Sequence, residues 1–243
     1  MLDGLKRLFS RPGALPRGWD ELVVWAQARQ YVFRPVREEG GFIVEGQLGA
    51  MPWRLEWGPS QRPYVEGAEL RLRAEVGLHP DVQAMVLDRM LQASMEASVF
   101  EQYVEGVQTR IDNQTPPEMR WLVMHPKLTA EELGALRERF AAVGASQGWV
   151  RQWLAEGLTG ALLAAPLDVG QPLVLMVARG RLTLRTALAE PKPAALDAWL
   201  ALFHAAMRES RRMAALAQEV THASTQPSLW LGSQSPGQPP DER

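Results

Sequence analysis

Between residues 31 and 76, apolar and polar side chains alternate with a period of two, interrupted by Gly and Pro. In 52–58, Trp53, Leu55 and Trp57 share one face, and Arg54 and Glu56 share the other. In 67–76, Ala68, Leu70, Leu72, Ala74 and Val76 oppose Glu69, Arg71, Arg73 and Glu75. Phe42, Val44 and Leu48 form a third apolar row in 41–48, opposite Glu45 and Gln47. Connections at 38–41 and 49–51 contain glycine, which enters positive φ without steric cost. Residues 58–63 form a longer loop in which Pro59 and Pro63 end the pairing. The pattern predicts four short antiparallel strands with an apolar, Trp-rich face and a charged face. An apolar sheet face needs a cover, so helices from elsewhere in the chain are expected to pack there.

The helical period appears on both sides of this meander. Asp20 is placed to cap a helix reaching about residue 30, with Leu22, Trp25 and Ala26 on one stripe. Residues 82–88 read as a fifth strand, although periodicity alone also allows a helix start. A helix follows over 90–104. After a loop at 112–118, residues 119–125 read as a strand ended by Pro126. Thr129 and Glu132 make a capping box, opening a helix with Leu133, Leu136, Phe140 and Val143 on one stripe. A second helix is expected over 149–162, then a hairpin of 173–178 with 181–188. A final helix from Pro193 to about 217 carries Leu196, Trp199, Leu200, Phe203, Met207, Ser210 and Ala214 as its core stripe. The fold class is therefore α+β: a mainly antiparallel sheet, with a four-stranded meander in the N-terminal half and a further strand and hairpin in the C-terminal half, covered by helices. Four regions follow: an amphipathic segment and linker (1–18), two structured halves (19–111 and 112–217) and a Pro-, Ser-, Gln- and Gly-rich tail (218–243) expected to be disordered.

Composition narrows the chemistry. At 46% hydrophobic and 22% charged, the 243-residue chain can build a core without metals or disulfides. It has no cysteine, which removes disulfides, a Cys nucleophile and Cys-ligated metal. The net charge of −2 supplies no global attraction for nucleic acid. No apolar run reaches the ~18 residues of a membrane span, and the N-terminus lacks a secretory apolar stretch. A cytoplasmic protein is expected. Lysine is confined to Lys6, Lys127 and Lys192 among many Arg and Ala, which points to a GC-rich bacterial source.

Candidate chemistry is sparse. Residues 144–148 match G-x-S-x-G, and Ser146 with Asp168 or Asp197 and then His204 follows the hydrolase chain order. A nucleophile elbow needs a strand before the serine. Here a helix is expected before it, so the segment reads as a helix–helix turn. The four histidines show no metal-ligand spacing, and no phosphate-binding glycine loop occurs; neither metal nor cofactor is expected. The tryptophans at 19, 25, 53, 57, 121, 149, 153 and 199 and the methionines at 85, 90, 95, 119 and 124 fall on or near apolar stripes and read as core.

These observations favour a non-enzymatic interaction or adaptor protein, with a serine hydrolase using Ser146, His204 and Asp168 or Asp197 as the alternative. The expected docking surface for a protein partner is the charged sheet face, with Arg54, Arg71 and Arg73, and the loop carrying Arg62 beside Tyr64. If residues 1–11 are helical, Leu2, Leu5, Leu8 and Phe9 gather on one side with Lys6 and Arg7 flanking. That pattern suits weak peripheral contact with an anionic membrane at the inner face.

Overall fold

A computed structural model of the chain describes residues 19–36, 40–104 and 116–224. The N-terminal segment with Leu2, Leu5, Lys6, Leu8 and Phe9 lies outside them. The fold is α+β. In chain order it comprises α1 (Asp20–Ala28), β1 (Val32–Val36), β2 (Gly41–Leu48), β3 (Met51–Pro59), β4 (Ala68–Glu75), β5 (Ala84–Asp88), α2 (Arg89–Val104), α3 (Pro117–Met124), α4 (Ala130–Leu133), β6 (Phe140–Gly144), α5 (Gln147–Trp153), α6 (Glu156–Leu163), β7 (Leu173–Ala178), β8 (Arg181–Ala187) and α7 (Pro193–Ser224).

All eight strands form one antiparallel sheet in the order β1-β2-β3-β4-β8-β7-β5-β6. The predicted meander is its first half. Strand β5, which precedes the 112–118 connection, lies between β6 and β7, which follow it, so the sheet runs unbroken through both halves.

Register explains the two faces. One row of directly paired residues runs Val44, Leu55, Leu72, Leu184, Leu175, Val86, Ala142 across seven strands, and every member is fully buried. With its neighbours it forms the main core, against Leu22 and Trp25 of α1, Val150 and Trp153 of α5, Leu158 and Leu162 of α6, and the predicted stripe of α7. The adjacent row points the other way and changes character midway: Ile43, Glu56, Arg71, Arg185, then Val174, Leu87, Ala141. The apolar part is covered by Leu91 and Met95 of α2 and Trp121 and Leu122 of α3, giving a second, smaller core. At the charged part α3 reaches as far as Arg185, whose Nε lies 3.9 Å from Glu118.

Three segments differ from the sequence expectation. Residues 119–124 belong to helix α3, not to a strand, and His125 is its extended C-cap. Pro117 occupies the first turn, where its missing N–H costs nothing, and buried Glu118, Trp121 and Leu122 follow helical spacing. The capping box at Thr129 forms as predicted, with Glu132 N donating to Thr129 Oγ1 (3.2 Å) and Thr129 N to Glu132 Oε2 (2.8 Å). The helix it opens, however, stops at Leu133. Gly134 adopts φ 54°, ψ −119°, which breaks the helix, and a single 3-10 turn follows. Residues 140–144 are instead the edge strand β6, buried on both faces and therefore without polar alternation. The expected helix over 149–162 is two helices, separated at Leu154 and Ala155, where Ala155 is extended. Asp20 sits in the first turn of α1 rather than capping it; Trp19 is the N-cap. Helix α7 continues beyond residue 217 to Ser224. Of the methionines expected in the core, Met90 and Met124 are exposed.

Candidate functional site

The serine motif is built for structure. A strand, β6, does precede Ser146 and α5 follows it, contrary to the helix–helix turn expected. Yet Ser146 has ordinary extended backbone (φ −129°, ψ 110°), and its Oγ accepts from Trp149 N at 3.3 Å as the N-cap of α5. Gly144 is required by packing, since a Cβ there would lie 2.5 Å from Val150 Cγ2 and 2.8 Å from the Gln83 carbonyl. The other hydrolase candidates are held elsewhere. Asp197 accepts from Trp25 Nε1 (2.9 Å) and Arg29 Nη2 (2.7 Å), tying α7 to α1. The Asp168 N–H donates to Gln171 Oε1 at 3.0 Å in the loop before β7. His204 packs its ring on Trp53, and its buried Nε2 has no hydrogen-bond partner among the described residues, so it does not reach Ser146. Replacing Ser146 with alanine is expected to lower stability by about 0.5–2 kcal/mol through loss of the cap. Wild-type protein is expected to show no fluorophosphonate labelling at Ser146. Urea midpoints and mass spectrometry of labelled protein check the two parts.

The charged part of the second face brings most candidate binding residues together. Glu56 is its hub on β3: Oε1 accepts from Arg54 Nε (2.7 Å), and Oε2 from Arg71 Nε (3.2 Å) and Arg73 Nη2 (3.0 Å). Burial alone would raise the Glu56 pKa, but the guanidiniums of Arg73, Arg71 and Arg54 outweigh it and hold the carboxyl below its usual value. Arg54 also reaches Glu45 at 3.4 Å, extending the charge ladder across β2 and β3.

Towards α3 the network goes underground. Glu69 is fully buried and accepts from Gln61 N (2.7 Å), Arg71 Nη1 (3.3 Å) and Arg185 Nη1. Glu118 of α3, also fully buried, accepts from Arg62 Nε (3.0 Å) and Tyr64 OH (3.1 Å) through Oε1. Arg62 and Tyr64, expected on an exposed recognition loop, are thus bound to the protein's own helix. Burial, reinforced by the Glu118 charge, pushes the Tyr64 phenol well above its ordinary value. Glu118, Arg120 and Arg185 were not singled out from the sequence. Glu118 and Arg120 lay in or beside a segment read as loop and strand, and the partner that would have marked Glu118 is 56 residues away.

Acidification should destabilise the fold in two stages. Burial, with Arg208 nearby, holds the His204 imidazole below its ordinary value, and burial does the same to His125. A depressed His pKa means the unfolded chain takes up the proton first. This stability is present above about pH 6.5 and is lost as pH falls below that value towards the folded pKa. Glu56 acts lower: its contribution is present above the unfolded carboxylate value of about 4.3 and is lost as pH falls through its depressed folded pKa. Urea unfolding at several pH values should show both stages, and His204→Phe should flatten the upper one.

Neither a protein-family model nor a curated protein matches the chain. Among solved structures, it is similar to the crystal structure of the mycobacterial trehalose monomycolate transport factor A, TtfA. The identity is 11%, the match covers 82% of this chain and 95% of that chain, and the TM-score is 0.44. No helix among the described residues is long and apolar enough to cross a membrane, and no cluster of His, Asp or Glu among them could hold a metal ion.

Proposed function

We propose that this chain is a non-enzymatic interaction protein that docks an acidic segment of a protein partner on the charged part of its second sheet face. The observation that carries this reading is the change in character of one register row. Where the row is apolar, α2 and α3 cover it, and α3 reaches on over the buried Arg185; beyond it, at Glu56, the face opens between Arg54 and Arg73. Around it, Arg54 and Arg73 keep partial exposure, and Arg181 stands exposed at the start of β8. Arginine suits this role because its planar fork pairs two oxygens of a carboxylate at once. Arg62 and Tyr64 act in this reading as supports, fixing α3 to the sheet through Glu118, rather than as the contact itself.

The test is capture from the source organism with wild-type protein and with Arg54→Glu/Arg73→Glu, followed by recapture with the purified candidate partner. A partner held by the wild type, released by added salt and lost with the double variant is expected. A purified partner that binds both proteins equally overturns this docking surface. Arg62→Ala/Tyr64→Ala should lose stability as well as binding, which separates support from contact.

A further inference from the structure

Beside that surface, α3 and the β7–β8 hairpin enclose a groove of about 740 Å³. One helical face of α3 (Pro117, Arg120, Trp121, Met124) forms one wall, and the second face of β8 forms the other. Six arginines line it: Arg62, Arg73, Arg120, Arg179, Arg181 and Arg185. No acidic residue does. Four have acidic partners: Arg62 on Glu118, Arg73 on Glu56 and Arg185 on Glu69, all buried or nearly so, and Arg181 on the exposed Glu75. Arg120 and Arg179 have no ion-pair or hydrogen-bond partner among the described residues. Glu56 and Glu69 are moreover shared with Arg71, so the groove carries an excess of positive charge.

Two buried donors are also unspent. Arg185 is 7% exposed and lines the groove, yet its Nε has no hydrogen-bond partner; Glu118 Oε1 lies 3.9 Å from it, and Glu118 Oε2 is buried without a partner as well. The Nε of Arg120 is buried and unpartnered too. A buried donor left without an acceptor is costly, and several arginine side chains lining one cavity are the usual recognition chemistry for phosphate oxygens. Trp121, Met124 and Met176 add an apolar patch to the lining, beside the polar Gln83 and Thr183. The volume lies in the range of small-molecule sites and far exceeds one phosphate.

We propose that this groove binds a phosphate monoester carried on an apolar or aromatic body, the arginines taking the phosphate and the Trp121–Met124–Met176 patch taking the body. The proposal extends the reading of this face as a recognition surface, but it needs no protein partner, so the two can fail separately. The same chemistry is offered by a soluble phosphorylated compound and by the headgroup of phosphatidic acid.

Calorimetric titration of the full chain with naphthyl phosphate, naphthol and citrate tests it, together with sedimentation on phosphatidylcholine vesicles with and without phosphatidic acid. Saturable binding of naphthyl phosphate, or of phosphatidic acid vesicles, but not of naphthol or citrate, is expected. Whichever of the two binds identifies the source. Arg120→Gln and Arg179→Asn should each weaken it about tenfold or more. Arg34→Gln, a change at the far edge of the sheet, should leave it unchanged. Arg179 sits at φ 52°, a conformation asparagine tolerates, so its variant should fold normally. Binding of neither phosphate probe, citrate binding as tight as naphthyl phosphate, or affinity unchanged in folded Arg120→Gln and Arg179→Asn overturns the proposal.

Discussion

Replacing Glu69 with alanine should destabilise the protein by about 3–5 kcal/mol, the range for removing one partner from a buried charge network. Arg71 on β4 and Arg185 on β8 are directly paired across the sheet, and both are buried. Two like charges in that position repel. The pair is tolerable because Glu69, two residues from Arg71 on the same face, bonds both guanidiniums and takes the Gln61 N–H besides. Alanine leaves two buried cations facing each other and an amide without its acceptor. The concerted variant Glu69→Leu/Arg71→Leu/Arg185→Leu should recover much of the loss, because apolar residues of similar size avoid the desolvation cost altogether. Urea denaturation of the three proteins decides it. A Glu69→Ala midpoint within error of wild type would show that the network carries no stability. By contrast Arg34→Ala, which removes the exposed pair with Glu45, should change stability by less than about 1 kcal/mol.

The second large effect is expected at Leu184. It stands in the middle of the apolar row, between Leu72 on β4 and Leu175 on β7, with no exposure. Strands flank it on both sides and helices close the core above it, so the surroundings have little freedom to collapse into the space a truncation leaves. Leu184→Ala should therefore cost about 2–5 kcal/mol, with the transfer term enlarged by the cavity. The denaturant slope should stay unchanged, since the same surface is exposed on unfolding. A loss below about 1 kcal/mol would mean the sheet closes on itself, and a changed slope would mean that unfolding is no longer a single transition.

Local sequence determined the elements whose two faces meet different surroundings. Strands β3 and β4 have an apolar core on one side and charge on the other, so Trp53 and Leu55 alternate with Arg54 and Glu56, and Leu70 and Leu72 with Glu69 and Arg71. The stripe of α7 was legible for the same reason, as was the placing of Glu45, Arg54, Glu56 and Arg73 on one face, whereas β7 is buried on both faces and was legible as a short apolar run before the Arg179–Gly180 turn. Tertiary structure alone decided what lies where both faces meet the same medium or where the partner is remote. Strand β6 is buried on both faces, so Phe140, Ala141, Ala142 and Val143 carry no period, and only its pairing with β5 makes it a strand. Helix α3 is eight residues long, too short for its apolar period to separate it from a strand; packing on Met85, Leu87 and Val174 settles it. That docking also buries Glu118 against Arg62 and Tyr64, and closes the groove in which Arg120 and Arg185 meet. Alternation can place a charged residue on a face, but whether that face meets water or a helix depends on a segment distant in the chain. Exposed and buried charges look the same in sequence, and their energies differ several-fold.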